Sequence, residues 1–159
     1  MQKELRRSQN ALIITGLGTI ALSLWSILKT VLFIELDSEN FEALFKSILG
    51  EIYERRMAIF VIFFLLAIDL AFRLYVGLKA RSEGHGKSGG RFYLLVDTVF
   101  MLLCVYDIVY FFTADPELLS FAGSNTSIVF ELTSLYTYAD LFYASLRTKK
   151  LRKQLKEEA

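Results

Sequence analysis

The stretch MAIFVIFFLLAIDLAFRLYVGL, residues 57–78, decides the fold class because it is apolar at almost every position. A predominantly apolar run of about 20 residues is long enough to cross the hydrocarbon core of a bilayer as an α-helix. Its two charged residues, Asp69 and Arg73, stand four positions apart and therefore share one helix face. The stretch predicts a transmembrane helix with one polar side.

Three further stretches have similar length and composition: residues 11–34, 92–113 and 127–146. The chain has 159 residues, 54% of them hydrophobic, which leaves room for one domain that lies mostly in lipid. These stretches do not alternate polar and apolar residues, as the strands of a membrane barrel would. The sequence predicts an all-α membrane protein: a four-helix transmembrane bundle formed by residues 1–159 as a single domain.

Two connections have features of their own. Residues 39–54 repeat apolar side chains at helical spacing but are too few to span, so they predict a short amphipathic helix. It would either rest on the membrane surface or fold as a lid over the bundle. Residues 83–90 contain Gly86-Lys87-Ser88, but Arg81 stands where a phosphate-binding loop needs glycine and no strand precedes it. These residues are interpreted as a flexible linker.

The distribution of basic residues predicts the orientation. Most of the 18 Lys and Arg residues lie in the N-terminal arm, in the second connection and in the tail after residue 146. Basic loops mark the cytoplasmic side, so both termini are expected there, in the plasma membrane. The tail, residues 147–159, is predicted to be a helical extension. Its basic residues either set the topology or attract the anionic leaflet through Arg147, Lys150 and Lys153.

Seven ionisable residues interrupt the four spans and fall at two depths. A charge at the bilayer centre costs about 2.5–3.5 kcal/mol on insertion scales, so such residues usually face a partner or water. Each depth holds one cation beside two or more carboxylates, which favours pairing between helices. The inner set is Asp69, Arg73, Asp97 and Asp140, and the outer set is Lys29, Asp107 and Glu131.

Two interpretations of these charges remain open. In the first, Asp97, Asp107 and Asp140 bind and pass on protons or cations, and the positive charges of Arg73 and Lys29 adjust the pKa values of these carboxylates. In the second, the pairs fix helix packing in an accessory membrane protein that binds a partner or anionic lipid.

Other polar and aromatic positions predict contacts. Glu131 and Asp140 are nine residues apart, about half a turn out of phase. Either the helix bends so that both face the bundle axis, or one of them faces a neighbouring membrane protein or a second copy of the chain. Phe92 and Tyr93 are expected in the aromatic belt at the inner interface, and Tyr138 deeper, bound to a carboxylate. A stripe of small polar residues in the first span predicts helix contacts: Thr15, Thr19, Ser23, Ser26 and Thr30.

Catalytic chemistry is not indicated. The single histidine, His85, stands alone in the glycine-rich connection, with no second His or Cys to complete a metal site, and no metal-ligand spacing is present. The single cysteine, Cys104, reads as a small buried hydrophobe. We therefore expect no enzyme activity, no cofactor or metal, and no nucleic-acid partner; membrane lipids are the expected surroundings.

The second and third spans resemble voltage-sensor-like four-helix membrane domains. The segment IDLAFRLY, residues 68–75, is similar to that family's second helix, in which an acidic residue precedes a basic one by four. Asp97 stands where the family carries an aspartate in its third helix. The resemblance implies an inner charge-transfer site. It does not reach the fourth span, which has no arginine series within its hydrophobic part, and Leu66 replaces the expected aromatic residue.

Overall fold

The computed structural model describes residues 2–36, 46, 55–87, 90–113 and 124–158. In that part of the chain it contains four α-helices: α1 (Gln2–Leu36), α2 (Arg55–Gly84), α3 (Phe92–Thr113) and α4 (Ser124–Glu157). The all-helical prediction is confirmed, and each predicted span lies inside one helix. The predicted amphipathic helix at 39–54 lies outside the described residues, apart from Lys46.

Three of the helices, α1, α2 and α3, are long and apolar enough to cross a membrane. Helix α4 has 34 residues, which is ample length, but it is more polar than the other three. Its buried positions recur every three or four residues and include several hydroxyl groups, so much of its polar character faces protein. These positions are Ser134, Tyr138, Leu141, Ser145 and Thr148.

The helices run alternately up and down. Helix α1 packs along both α2 and α4, and α3 packs mainly along α4, with a smaller contact to α2. Tyr138 of α4 stacks on Phe100 of α3, with ring centroids 5.6 Å apart. The N-terminal end of α1 and the C-terminal end of α4 lie together, because the Ser8 hydroxyl donates to the Ala144 carbonyl and is 2.8 Å from the Thr148 hydroxyl. We call this the terminal end of the bundle.

Helices α1 and α2 approach most closely where both carry glycine. A Cβ added at Gly77 would lie 2.6 Å from the carbonyl oxygen of Gly16, and one added at Gly16 would lie 2.7 Å from that of Gly77. No side chain fits there, so the two backbones are in direct contact. The small polar stripe of α1 is also used for packing, since Thr15, Thr19 and Ser23 are buried, as predicted.

The end of α2 is fixed by a Schellman motif. Gly86 has a φ of 91°, the left-handed conformation that glycine adopts without strain, and its N–H donates to the Glu83 carbonyl over 3.0 Å. The N–H of Lys87 donates to the Ser82 carbonyl over 3.2 Å. The interpretation of residues 83–90 as a linker was therefore wrong for Glu83 and Gly84, which belong to α2.

The helical extension of α4 braces this connection. Arg152 donates to the carbonyls of Lys87, over 2.9 Å, and of Glu83, while Lys149 donates to the Gly90 carbonyl over 3.3 Å. The prediction that the tail continues the fourth helix is confirmed. Two of its basic side chains face inward and bind backbone carbonyls of the α2–α3 connection.

Candidate functional site

The centre of the bundle is occupied by Arg73, which joins α2 to α4. Its Nε lies 2.8 Å from Oδ2 of Asp69, one turn earlier on the same helix, and its Nη1 donates to the Tyr138 hydroxyl over 2.9 Å. The guanidinium also lies over the Phe100 ring of α3, 5.0 Å from its centroid. Tyr138 was expected to bind a carboxylate; instead it accepts a hydrogen bond from a cation. Arg73 thus contacts α2, α3 and α4 at one level.

Asp97 lies on α3, about one turn closer to the terminal end than Phe100. It is 0% exposed, and neither carboxylate oxygen has a hydrogen-bond partner among the described residues. Tyr93 lies one turn from Asp97 on α3, and Tyr138 stacks on Phe100 three residues along the same helix, but neither hydroxyl is hydrogen-bonded to Asp97. A buried carboxylate without a partner is costly, because it has lost its water without gaining hydrogen bonds.

A second polar group lies at the terminal end, between α2, α3 and α4. The Tyr93 hydroxyl donates to Oε2 of Glu83 over 2.5 Å and lies 2.5 Å from the Ser145 hydroxyl. Lys149 places its Nζ 3.8 Å from the same Glu83 oxygen and 5.1 Å from the centroid of the Tyr93 ring. Tyr93 is fully buried, so its assignment to the aromatic belt was wrong.

The opposite end holds the residues of the predicted outer set. Glu131 of α4 lies near Cys104 of α3, and Cys104 is buried. The charges of Asp107, Arg73 and Lys29 all act on Glu131. Lys29 also lies 6.0 Å from the centroid of the Phe130 ring, which places α1 and α4 side by side here.

Asp140 occupies a different face of α4. It is half-buried and lies between Thr137, which contacts Gly18 of α1, and Ala144, which accepts the hydrogen bond from Ser8. Of the four residues predicted to form the inner set, the structure therefore gathers Asp69, Arg73 and Asp97 around Tyr138 and places Asp140 towards α1.

We define the polar row as six residues that follow one another through the bundle interior from the terminal end. In order they are Glu83, Tyr93, Asp97, Tyr138, Arg73 and Asp69. Polar contacts join the first two and the last three, and Asp97 lies between these groups without a hydrogen bond to either. Carboxyl and phenol groups can each accept and release a proton, whereas an arginine guanidinium stays charged. The acids and phenols of the row can therefore each exchange a proton, whereas Arg73 cannot.

Sequence reasoning missed the terminal part of this row. Glu83 was placed in a linker, and Lys149 in a tail. One signal was available, because Ser145 follows Tyr138 by seven residues and so lies on the same helix face. The same helix face continues through Thr148 and Arg152, so the spacing predicts that these residues of the tail face the bundle, as the structure shows.

The remaining basic residues of the tail lie on the outside. Arg147 is exposed and its Nη2 is 3.9 Å from Oε1 of Glu4 on α1, while Lys150 and Lys153 are exposed on the same side of α4. Within the described residues, no group of three or more His, Cys, Asp or Glu side chains is placed to hold a metal ion.

A groove of about 400 Å³ separates α2 from α3 on the outer surface. Its walls are apolar, with Phe72 on one side and Leu95 and Leu103 on the other, and Asp69 lies along it. The Asp69 side chain is 31% exposed at this point, whereas Arg73 behind it is 15% exposed. The polar row thus reaches the outer surface of the bundle only at its Asp69 end.

Comparison of the chain with family models, with curated proteins and with solved structures gives no match. The resemblance to voltage-sensor-like domains stays a prediction from residues 68–75 and Asp97.

Proposed function

We propose that this is a small integral membrane protein that carries protons along the polar row. In this proposal all four helices cross the plasma membrane and both termini lie in the cytoplasm, so the terminal end of the bundle is the cytoplasmic end. The observation that carries the proposal is Asp97, a fully buried carboxylate without a hydrogen-bond partner among the described residues.

The outer surface supports a lipid environment. Large apolar side chains are exposed on the helices, among them Phe60 at 70% and Leu102 at 64%, while Glu83, Asp97 and several serine and threonine hydroxyls are buried inside. Apolar area of this extent on a chain in water would drive association, whereas lipid covers it without cost. The polar face of α4 is compatible with spanning because it faces the other helices.

Asp97 is difficult to explain as a structural residue. A polar pair that fixes helix packing has its partners in place, as Asp69 and Arg73 do. Asp97 has none among the described residues, because the hydroxyls of Tyr93 and Tyr138 are engaged by Glu83 and Arg73 instead. A site that must alternately bind and release a proton cannot be locked permanently in a salt bridge.

Protons are favoured over metal cations. A bound Ca²⁺ or Mg²⁺ requires about six oxygen ligands, and the described residues offer no cluster of three acidic, His or Cys side chains. A proton passes between adjacent oxygen atoms and needs no such cavity.

Proton flux into vesicles tests the proposal. Purified protein is reconstituted into liposomes that contain a pH-sensitive dye, and flux is driven by a potassium diffusion potential with valinomycin. We expect the wild type to exceed empty vesicles, Asp97→Asn to abolish the excess, and the exposed control Glu158→Gln to retain it. Asp107→Asn, at the opposite end, is expected to reduce it. Wild-type vesicles that match empty ones, or Asp97→Asn at wild-type flux, would overturn the proposal.

A second candidate function is that of a structural or accessory membrane protein. The Asp69–Arg73–Tyr138 contact favours it, because these groups satisfy one another and join two helices that otherwise touch little. This candidate predicts no flux in wild-type vesicles and a loss of stability on substitution of Asp97.

We propose anionic lipid as a partner of the cytoplasmic surface. Arg147, Lys150 and Lys153 lie exposed on one side of α4, next to the basic start of α1. Each basic side chain near an anionic leaflet contributes about 1 kcal/mol of attraction.

A further inference from the structure

Helix α4 is polar on its outer surface as well as on its buried face. One line of residues on this surface repeats at alternating intervals of four and three, the spacing of positions that face a single neighbouring helix. Its members are Val129, Thr133, Tyr136, Asp140, Tyr143 and Arg147. All of them are exposed except Asp140, which is half-buried. We call these residues the outer stripe of α4.

Three polar groups of the outer stripe have no partner within the described residues. The Thr133 hydroxyl donates to the Val129 carbonyl over 2.7 Å, so it is satisfied by its own helix. The hydroxyls of Tyr136 and Tyr143 and the carboxylate of Asp140 make no hydrogen bond or ion pair in the part of the chain that the structure describes. Tyr136 is also 73% exposed. These groups are therefore available to a molecule outside the chain.

The unpaired groups lie within the bilayer if α4 crosses the membrane. Asp140 is then about 9 Å inside the end of the span at residue 146, and Tyr136 is close to the middle of the span. A carboxylate at such a depth is costly against lipid, so it is expected to face protein or water. Helix α2 shows the opposite pattern, because every exposed residue between 57 and 78 is apolar. Lipid suits the surface of α2, whereas the outer stripe requires a protein neighbour.

The outer stripe carries both a hydrogen-bond donor and an acceptor, so it can complement itself. Two copies inserted in the same orientation lie parallel and meet about a two-fold axis along the membrane normal, and each contact then occurs twice. Tyr143 follows Asp140 by three residues, about 4.5 Å along the helix axis. Side chains on a helix lean towards its N-terminus. A tyrosine at position 143 therefore reaches the level of Asp140 on a facing α4.

We propose that the outer stripe is the contact surface between two copies of this chain, and that the Tyr143 hydroxyl of each copy donates to the Asp140 carboxylate of the other. Tyr136, one turn from Asp140, then lies in the middle of the contact and packs against its own counterpart. This inference rests on the part of the proposed function in which α4 crosses the membrane, and it does not depend on proton flux. The groups that are unpaired in one copy are satisfied in two.

Disulfide crosslinking in liposomes, at a protein-to-lipid ratio low enough to make random collisions rare, tests the contact. The free Cys104 is first replaced by alanine, and one cysteine is then placed at Tyr136 or at Leu102. Leu102 of α3 is the matched control: it is 64% exposed, and it lies at the level of Tyr136 because Phe100 stacks on Tyr138 in the antiparallel α4. We expect Tyr136→Cys to form a product of twice the 18.2 kDa chain mass and Leu102→Cys to form none above background.

The affinity between copies tests the hydrogen bond. Energy transfer between copies that carry donor and acceptor dyes, measured as lipid is added, gives the dissociation constant of the dimer. Tyr143→Phe keeps the ring but removes one hydrogen bond from each half of the contact, so we expect the dissociation constant to rise about tenfold. Asp140→Asn, which keeps an acceptor oxygen without the charge, should raise it less. Tyr106→Phe, which removes a 65% exposed phenol of α3, is the control and should leave it unchanged.

Three results would overturn the proposed contact. The first is crosslinking that is equal for Tyr136→Cys and Leu102→Cys, or absent from both. The second is a dissociation constant of Tyr143→Phe within twofold of the wild type. The third is a crosslinked product of Tyr136→Cys in native membranes whose mass is not twice that of the chain, because a different protein then covers the stripe.

Failure of the dimer is distinguishable from failure of the proposed function. A membrane-impermeant maleimide should label Lys3→Cys and Glu158→Cys from the same side, because α1, α2 and α3 together with α4 make an even number of spans. Labelling from opposite sides overturns the four-span arrangement and the dimer with it. Same-side labelling without crosslinking overturns the dimer alone. Absence of proton flux from wild-type vesicles overturns the proton-carrying function and leaves the dimer standing.

Discussion

Substitution of Asp97 by valine should make the protein more stable and inactive at once. The carboxylate has two buried oxygens without a hydrogen-bond partner among the described residues, and each unsatisfied buried polar atom costs about 1–3 kcal/mol. Valine is similar in size and has no polar atom, so it removes both penalties. For two atoms these penalties amount to about 2–6 kcal/mol. We expect the free energy of unfolding to rise by about 2–3 kcal/mol, the lower part of that range, because the new side chain will not fit the site perfectly.

Asp69→Val is the matched comparison, since it makes the same chemical change in a carboxylate that has a partner. It leaves the buried Arg73 guanidinium without its acid, 2.8 Å away in the wild type. A hydrogen bond to a charged group contributes about 1.5–3 kcal/mol, so the free energy of unfolding should fall by about that amount. The same substitution is thus expected to have opposite signs at two positions of one bundle.

Equilibrium unfolding in mixed micelles, with increasing SDS and far-UV circular dichroism as the signal, measures both variants. Proton flux of the same preparations is measured in parallel. A fall in the stability of Asp97→Val of 1 kcal/mol or more, well beyond the uncertainty of such titrations, would refute the reasoning. It would show that Asp97 has a partner that stabilises the fold, and it would favour the structural function.

Three further predictions test the packing and the surface. Gly77→Ala places a methyl group 2.6 Å from the Gly16 carbonyl oxygen and should destabilise the fold by about 1–2 kcal/mol in the same titration. The control Gly18→Ala, whose Cβ would meet only Thr137 at 3.4 Å, should be neutral or stabilising. Equal effects of the two substitutions would contradict the close contact of α1 with α2. Arg152→Ala removes two hydrogen bonds to backbone carbonyls and should lower the free energy of unfolding by about 1–3 kcal/mol. Faster hydrogen exchange in residues 81–87 would localise the loss to the α2–α3 connection. Unchanged exchange there would show that Arg152 does not stabilise this connection. Neutralising Lys150 and Lys153 to glutamine should weaken pelleting with phosphatidylserine vesicles by about 2 kcal/mol, with stability unchanged; binding equal to the wild type would exclude this face as the lipid contact.

The sequence was sufficient for the helices because their signals are local. Apolar length marks the spans, and α3 has the predicted bounds, Phe92–Thr113. The pairing of Asp69 with Arg73 was also accessible, since residues four apart on a helix must share a face. The small polar stripe of α1 likewise predicted a contact surface.

The sequence predicts how far along its helix a charged residue lies, but it does not predict which neighbouring helix the side chain faces. Asp97 and Asp140 were placed at one level, and the structure turns Asp97 into the bundle beside two phenols and Asp140 towards α1. Depth depends on the distance from a helix end, which is counted in residues. Direction depends on how each helix is rotated against its neighbours, which is set by packing such as the contact of Gly16 with Gly77.

What the sequence alone determined about this protein is its class: four helices, their order, and acids where apolar residues are the rule. Only the tertiary structure decided which of these acids have partners. Arg73 reaches Tyr138 on another helix, Glu83 is enclosed by Tyr93 and Lys149, and Asp97 has no partner among the described residues. The physical reason is that hydrogen bonds between helices join residues far apart in the chain, and they exist only once the backbones have settled into contact.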